Sequence, residues 1–153
     1  MKSIEVRLNL EVVAPLLDLI KAAADGLKEE LAITAVVPDS DADFADGWRQ
    51  ELLQDQTGDI QVLLRVFGRE FFANGIIALD ASNSEAVLRA CSAVRLRLKS
   101  GLLQRMEDEV LESGEVPVQK LTEDEHKAFA CYVFLATLQE LIIEHLDPSG
   151  RGV

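Results

Sequence analysis

The stretch FACYVFLATLQELIIEHL, Phe129 to Leu146, constrains this chain more than any other part of it. Wound at helical pitch it is apolar on most sides, and such a helix persists in water only when other helices cover it. A mainly helical fold is therefore expected: about five helices packed around a buried C-terminal helix, with a small two-stranded β-ribbon. The start of that helix is written in LTEDEHKAF, with Thr122 as N-cap, Glu125 at the capping-box position and acids in the first turn. The chain beyond Leu146, DPSGRGV, reads as a frayed tail. With 153 residues and no internal repeat or linker, the sequence fits a single helical domain over 1–153.

The rest of the chain can be divided by periodicity. Ile4 to Asn9 alternates apolar and polar residues, the pattern of a short strand. Leu16, Ile20, Ala23, Leu27 and Leu31 recur by three or four and define a helix, which Asp25-Gly26 weakens enough to end it early. Pro15 requires that helix to begin close by, because proline supplies no amide donor. LAITAVVP, Leu31 to Pro38, reads as an extended connection. Trp48, Leu52 and Leu53 open a further helical face, and Thr57-Gly58-Asp59 looks like a stop followed by a new N-cap. Ile60, Leu63, Leu64, Phe67 and Phe71 would then form the next helix. NGIIALD, Asn74 to Asp80, gives a turn and a second strand, which must pair with the first to satisfy its backbone. From Ser82 or Asn83 as N-cap, with Glu85 near the capping-box position, a long helix carries Val87, Cys91, Val94, Leu98, Leu102, Met106 and Val110 to Ser113-Gly114. The connector EVPVQK follows.

Charge limits the partners. The 15 Lys and Arg stand against 27 Asp and Glu, a net charge of −12 that opposes direct contact with nucleic acid or an anionic membrane. Glu5 and Arg7 interrupt the first ten residues where a signal peptide would be apolar, and the apolar run Phe129 to Ile143 is short for a bilayer. A cytoplasmic location is the expectation. Cys91 and Cys131 stand apart within apolar helical patterns and read as buried thiols, with no zinc-type spacing around them.

Two fragments resemble metal motifs. Asp39, Asp41 and Asp43 alternate like the first ligands of a calcium loop. Counted from Asp39, however, the turn glycine is Phe44 and the closing glutamate is Gln50. Glu123 to His126 is an E-x-x-H, which di-iron bundles use twice and this chain offers once, since Ile142 stands three before His145. No cofactor, metal ligand or catalytic residue is assigned. The informative residues are cationic. Arg89, Arg95, Arg97, Lys99 and Arg105 against Glu85 give this segment a local charge of +4. Arg95 turns into the apolar stripe, where a guanidinium needs a carboxylate or several carbonyls. Arg95, Arg97, Lys99 and Arg105 therefore serve either internal ion pairing or a site for an anion or partner.

Pro38-Asp39 before the acidic, aromatic helix start at Phe44, then GIIALD, SEAVLRACSAVRLRL and YVFLATLQELI, form an ordered set. This order resembles a bacterial family common in actinobacteria, the domain of unknown function DUF2017, over Pro38 to Leu146. Arg95-Leu96 matches that family's Arg-Leu, whereas Arg89-Ala90-Cys91-Ser92 stands where an aromatic-Leu and Leu-Asn pair is expected. The resemblance implies no assigned reaction; some members carry a name as oxidative-stress transcription regulators. The leading expectation is a non-enzymatic cytoplasmic regulatory or protein-interaction protein with an unidentified protein partner, and a homodimer stays open. Alternatives are an enzyme or small-ligand binder with an anion pocket at Arg95, and a transcription regulator acting through a protein partner.

Overall fold

The computed structural model describes residues 2–32, 42–107, 110–111 and 121–146. Strand β1 (Ser3–Arg7) leads into α1 (Leu10–Leu27); α2 (Ala42–Val66), the short α3 (Arg69–Asn74), strand β2 (Ile76–Asp80), α4 (Ser84–Ser100) and α5 (Glu123–His145) follow. The protein is mainly helical, four long helices and one short one among the described residues, and the two strands pair antiparallel with Ser3 opposite Asp80 and Arg7 opposite Ile76. Alternation decides which strand face is used: Ile4 and Val6 turn inward while Ser3, Glu5 and Arg7 stay exposed. At Gly75 the backbone enters the left-handed region, φ 72°, to cap α3 and hand its carbonyl to the Leu8 amide at 2.7 Å.

Helix α4 is the hub. Val87, Cys91, Val94 and Leu98 are buried, and the helix packs against α1, α2 and α5. The C-terminal helix is thus less enclosed than its apolar sequence suggests. It buries the stripe Ala128, Cys131, Leu135, Leu138 and Ile142 against α4 and α1, leaving Val133 40% and Ile143 60% exposed. On length and composition α5 could cross a membrane; here its stripe belongs to the same core as Ile20, Leu63 and Phe71.

Several expected boundaries move. Thr57-Gly58-Asp59 does not stop a helix, because α2 runs unbroken for 25 residues. Gly58 is exposed, and its cost of about 1 kcal/mol is outweighed by a stripe of Leu53, Ile60 and Leu63 buried on both sides of it. The helix breaks instead at Phe67-Gly68, so Phe71 falls in α3, and Phe67 packs edge-on against it with ring centres 5.3 Å apart. Helix α4 ends at Ser100 rather than continuing to Val110. Past Gly101 the Leu103 amide reaches back to the Leu98 carbonyl at 2.8 Å, so Leu103 is buried and Leu102 is 43% exposed. Asn83 precedes α4 but does not cap it by side chain; its amide holds Asp80 and Ala78 instead, and no capping box forms with Glu85. Pro15 lies inside α1, beyond the first turn, where the Glu11 carbonyl it cannot serve is on the exposed side. Thr122 and Glu125 do form the expected capping box. The extended connection before Pro38, Ser113-Gly114, EVPVQK and the tail lie outside the described residues.

Candidate functional site

Among the described residues no further helix covers the outward side of α4. Leu88, Ser92 and Leu96, spaced by four, line it together with Ala93, and the small side chains at 92 and 93 lower the floor between two walls. One wall is α2, through Leu52, Asp55, Asp59 and Val62; the other is α5, through Gln139 and Ile143, and Leu31-Ala32 close one end. The resulting open groove holds about 1110 Å³. Leu31, Ala32, Leu52, Val62, Leu88 and Leu96 are half-buried along it, Ala93 is buried in the floor, and Ile143 is 60% exposed.

Two glutamines set the width of this groove. Gln56 gives its side-chain N–H groups to the carbonyls of Leu27 at 2.7 Å and Glu30 at 3.1 Å, and accepts from the Ala32 amide at 2.9 Å. It thereby ties the open end of α1, where carbonyls lack helical partners, to the middle of α2. Gln139 does the corresponding work between α5 and α4, donating to the Leu88 carbonyl at 2.9 Å and Ser92 Oγ at 2.8 Å while accepting from Arg95 Nη1 at 2.8 Å. Across the groove mouth, Arg89 holds Asp59 in a two-point pair of 2.9 and 3.0 Å, which raises the arginine's pKa and keeps it charged.

The four cations singled out by sequence are not brought to one place. Arg95 lies half-buried with its guanidinium carbon 4.4 Å from the Tyr132 ring centre and its Nη1 2.8 Å from Gln139 Oε1, so that ring and the Gln139 amide are among its partners. Arg97 projects from the opposite side of α4 over Gly26, where a Cβ would sit 2.7 Å from its Nη2, and pairs with Glu30 at 3.1 Å. Lys99 is half-buried on α4. Arg105, past the helix end, reaches the α5 capping box and pairs through two nitrogens with Glu125, at 2.8 Å from Nε to Oε2. The Arg105 guanidinium, aided by the Thr122 amide, holds the Glu125 carboxyl at about 2.

Both thiols are buried, and burial pushes Cys91 and Cys131 up to about 12. Of the calcium-like run, Asp39 and Asp41 lie outside the described residues, but residues 42–50 are helical, which removes the loop geometry that most of a twelve-residue cage needs. Glu123 and His126 are exposed in the first turn of α5, and among the described residues no three His, Cys, Asp or Glu side chains gather as a metal site. The groove itself was not apparent in the sequence: Leu88, Ser92, Ala93 and Leu96 look like the ordinary flank of an amphipathic helix until their neighbours are placed.

No curated protein and no solved structure matches the chain. A family match does cover residues 5–146, from β1 to the end of α5, and so takes in β1 and α1 as well as the Pro38 to Leu146 stretch that carries the resemblance. The family is described as "Domain of unknown function (DUF2017)", and with most of its length matched the chain belongs to it.

Proposed function

We propose that this protein is a non-enzymatic interaction domain whose binding face is the α2–α4–α5 groove, and that it acts in regulation by holding a protein partner. One observation carries the reading: the groove presents apolar floor and wall, while four of its polar lining residues, Gln56, Gln139, Asp59 and Arg89, are already bonded within the protein. Groups so engaged position helices; exposed apolar surface framed by them recognises apolar surface. The groove's volume of about 1110 Å³ and its open form suit a segment of a macromolecule better than an enclosed metabolite. An anion pocket at Arg95 is less favoured, since its guanidinium is engaged with Tyr132 and Gln139. The buried free thiols fit the cytoplasm, which we propose as the compartment, and a charge of −12 favours a protein partner over nucleic acid.

The test is affinity capture from the source cell with wild type, Ser92→Trp and Ile143→Ser, each checked for folding by circular dichroism. Partners retained by wild type and lost from both variants support the groove. Partners indifferent to both substitutions place the binding face elsewhere.

A further inference from the structure

We infer that the groove's occupant is an amphipathic helix of a partner protein, two to three turns long, with lysines or arginines flanking its apolar edge; this rests on the groove being the binding face. Length is the first argument. From Leu52 to Val62 the α2 wall rises about 15 Å, and from Leu88 to Leu96 the α4 floor rises about 12 Å. Apolar anchors at i, i+3 or i+4, and i+7 of a helix span about 10 Å, so one such edge fills the floor.

Shape is the second. Leu88 and Leu96 stand at the two ends of the floor, the shorter Ser92 and Ala93 lie between them with Gln139 bonded to Ser92, and Ile143 stands on the same wall as Gln139. A helix laid into such a channel satisfies its central backbone groups internally, which matters because the N–H groups of Gln56 and Gln139 are already engaged.

Charge is the third, and it selects the flanks. Along α2, Glu51, Asp55 and Asp59 follow one another at intervals of four, a single acidic row on the rim, and Asp55 and Glu51 are exposed. On the far wall Glu140 and Glu144, also exposed, stand beside Gln139 and Ile143. Arg89, the cation on the described lining, is bound to Asp59. A basic flank on each side of the peptide therefore meets carboxylates on both rims, and the whole chain at −12 steers it in.

The probe is a synthetic peptide of about fourteen residues with leucines at i, i+4 and i+7 and lysines beside them, labelled for fluorescence anisotropy. It is compared with a glutamate-flanked version and with a version carrying a central proline. Binding is expected to weaken about tenfold or more for each control, and about tenfold on Ser92→Trp. Asp55→Lys, at an exposed site, should weaken the lysine peptide and lower its salt sensitivity between about 50 and 150 mM. Equal binding of the lysine and glutamate peptides, undiminished binding of the proline peptide, or no binding up to about 1 mM overturns the assignment. A concentration-dependent dimer abolished by Ser92→Trp, seen by light scattering, overturns it in favour of a second copy. If capture from cells still depends on Ser92 and Ile143 while the peptide fails, the occupant is wrong and the groove stands. If both fail, so does the reading beneath.

Discussion

Gln56→Met is the substitution that most directly tests how α1 and α2 are held together. Methionine keeps nearly the same length and volume, so packing changes little, while all the polar contacts disappear. The two part-buried bonds, to the Leu27 carbonyl and from the Ala32 amide, contribute about 1 kcal/mol each, and the exposed bond to Glu30 adds a few tenths. The expected loss is about 2 kcal/mol, which lowers the melting temperature of a chain this size by about 4–8 °C. In urea the midpoint should fall by about 1 M with the slope unchanged, since the same surface unfolds. Gln61→Met, at an exposed position on the same helix, is the control and should stay within about 0.5 kcal/mol. If Gln56→Met matches that control, the three bonds are not what fixes α1 to α2.

Gly75→Ala should cost about 1–3 kcal/mol or more, because φ is 72° and the added Cβ would lie 2.6 Å from the Leu8 carbonyl oxygen, a backbone atom that cannot swing away; thermal unfolding reads it. Thr122→Ala should cost about 1 kcal/mol by removing the α5 cap, measured the same way. Glu125 is held at about 2 against an ordinary 4.5, so its contribution is complete above 4.5 and declines as pH falls towards 2; Glu125→Gln should be less stable near neutrality and lose less of its stability across that window. Cys91 and Cys131 should react slowly with a thiol reagent in the folded protein and rapidly in denaturant, and fast native labelling of either would refute their burial.

The elements that were legible in sequence are those whose signals are local. The first strand follows from alternation in IEVRLN, the second from the turn and short apolar run in NGIIALD, and the α5 start from Thr122 and Glu125 three residues apart. What misled was punctuation without context. Thr57-Gly58-Asp59 has the composition of a stop, but Gln56 and Asp59 bond outward to α1 and to Arg89, leaving the helix itself uninterrupted. Periodicity carried the α4 stripe past Gly101 because Leu102 and Met106 keep the spacing, although the backbone has already turned and Leu103 takes the buried place. The candidate site was least legible of all. Its walls come from three elements, and the glutamines that space them carry no periodicity, so only the packed helices reveal that the cations of the α4 segment face different neighbours.

The pairing of Ser3 with Asp80 has a consequence for how the protein comes into being. Strand β1 is synthesised long before β2, and at about 5–20 residues per second the interval is about 4–15 s. Throughout it β1 lacks its partner β2, and closing so long a loop carries an entropic cost that the intervening helices offset by bringing β2 near. An orphan strand is a seed for association between nascent chains. Glu5 and Arg7, which alternate with Ile4 and Val6 and remain exposed in the finished fold, place opposite charges on the strand during that wait. In the finished two-stranded sheet β1 still keeps one open edge among the described residues, and charged side chains along it make edge-to-edge pairing between chains costly.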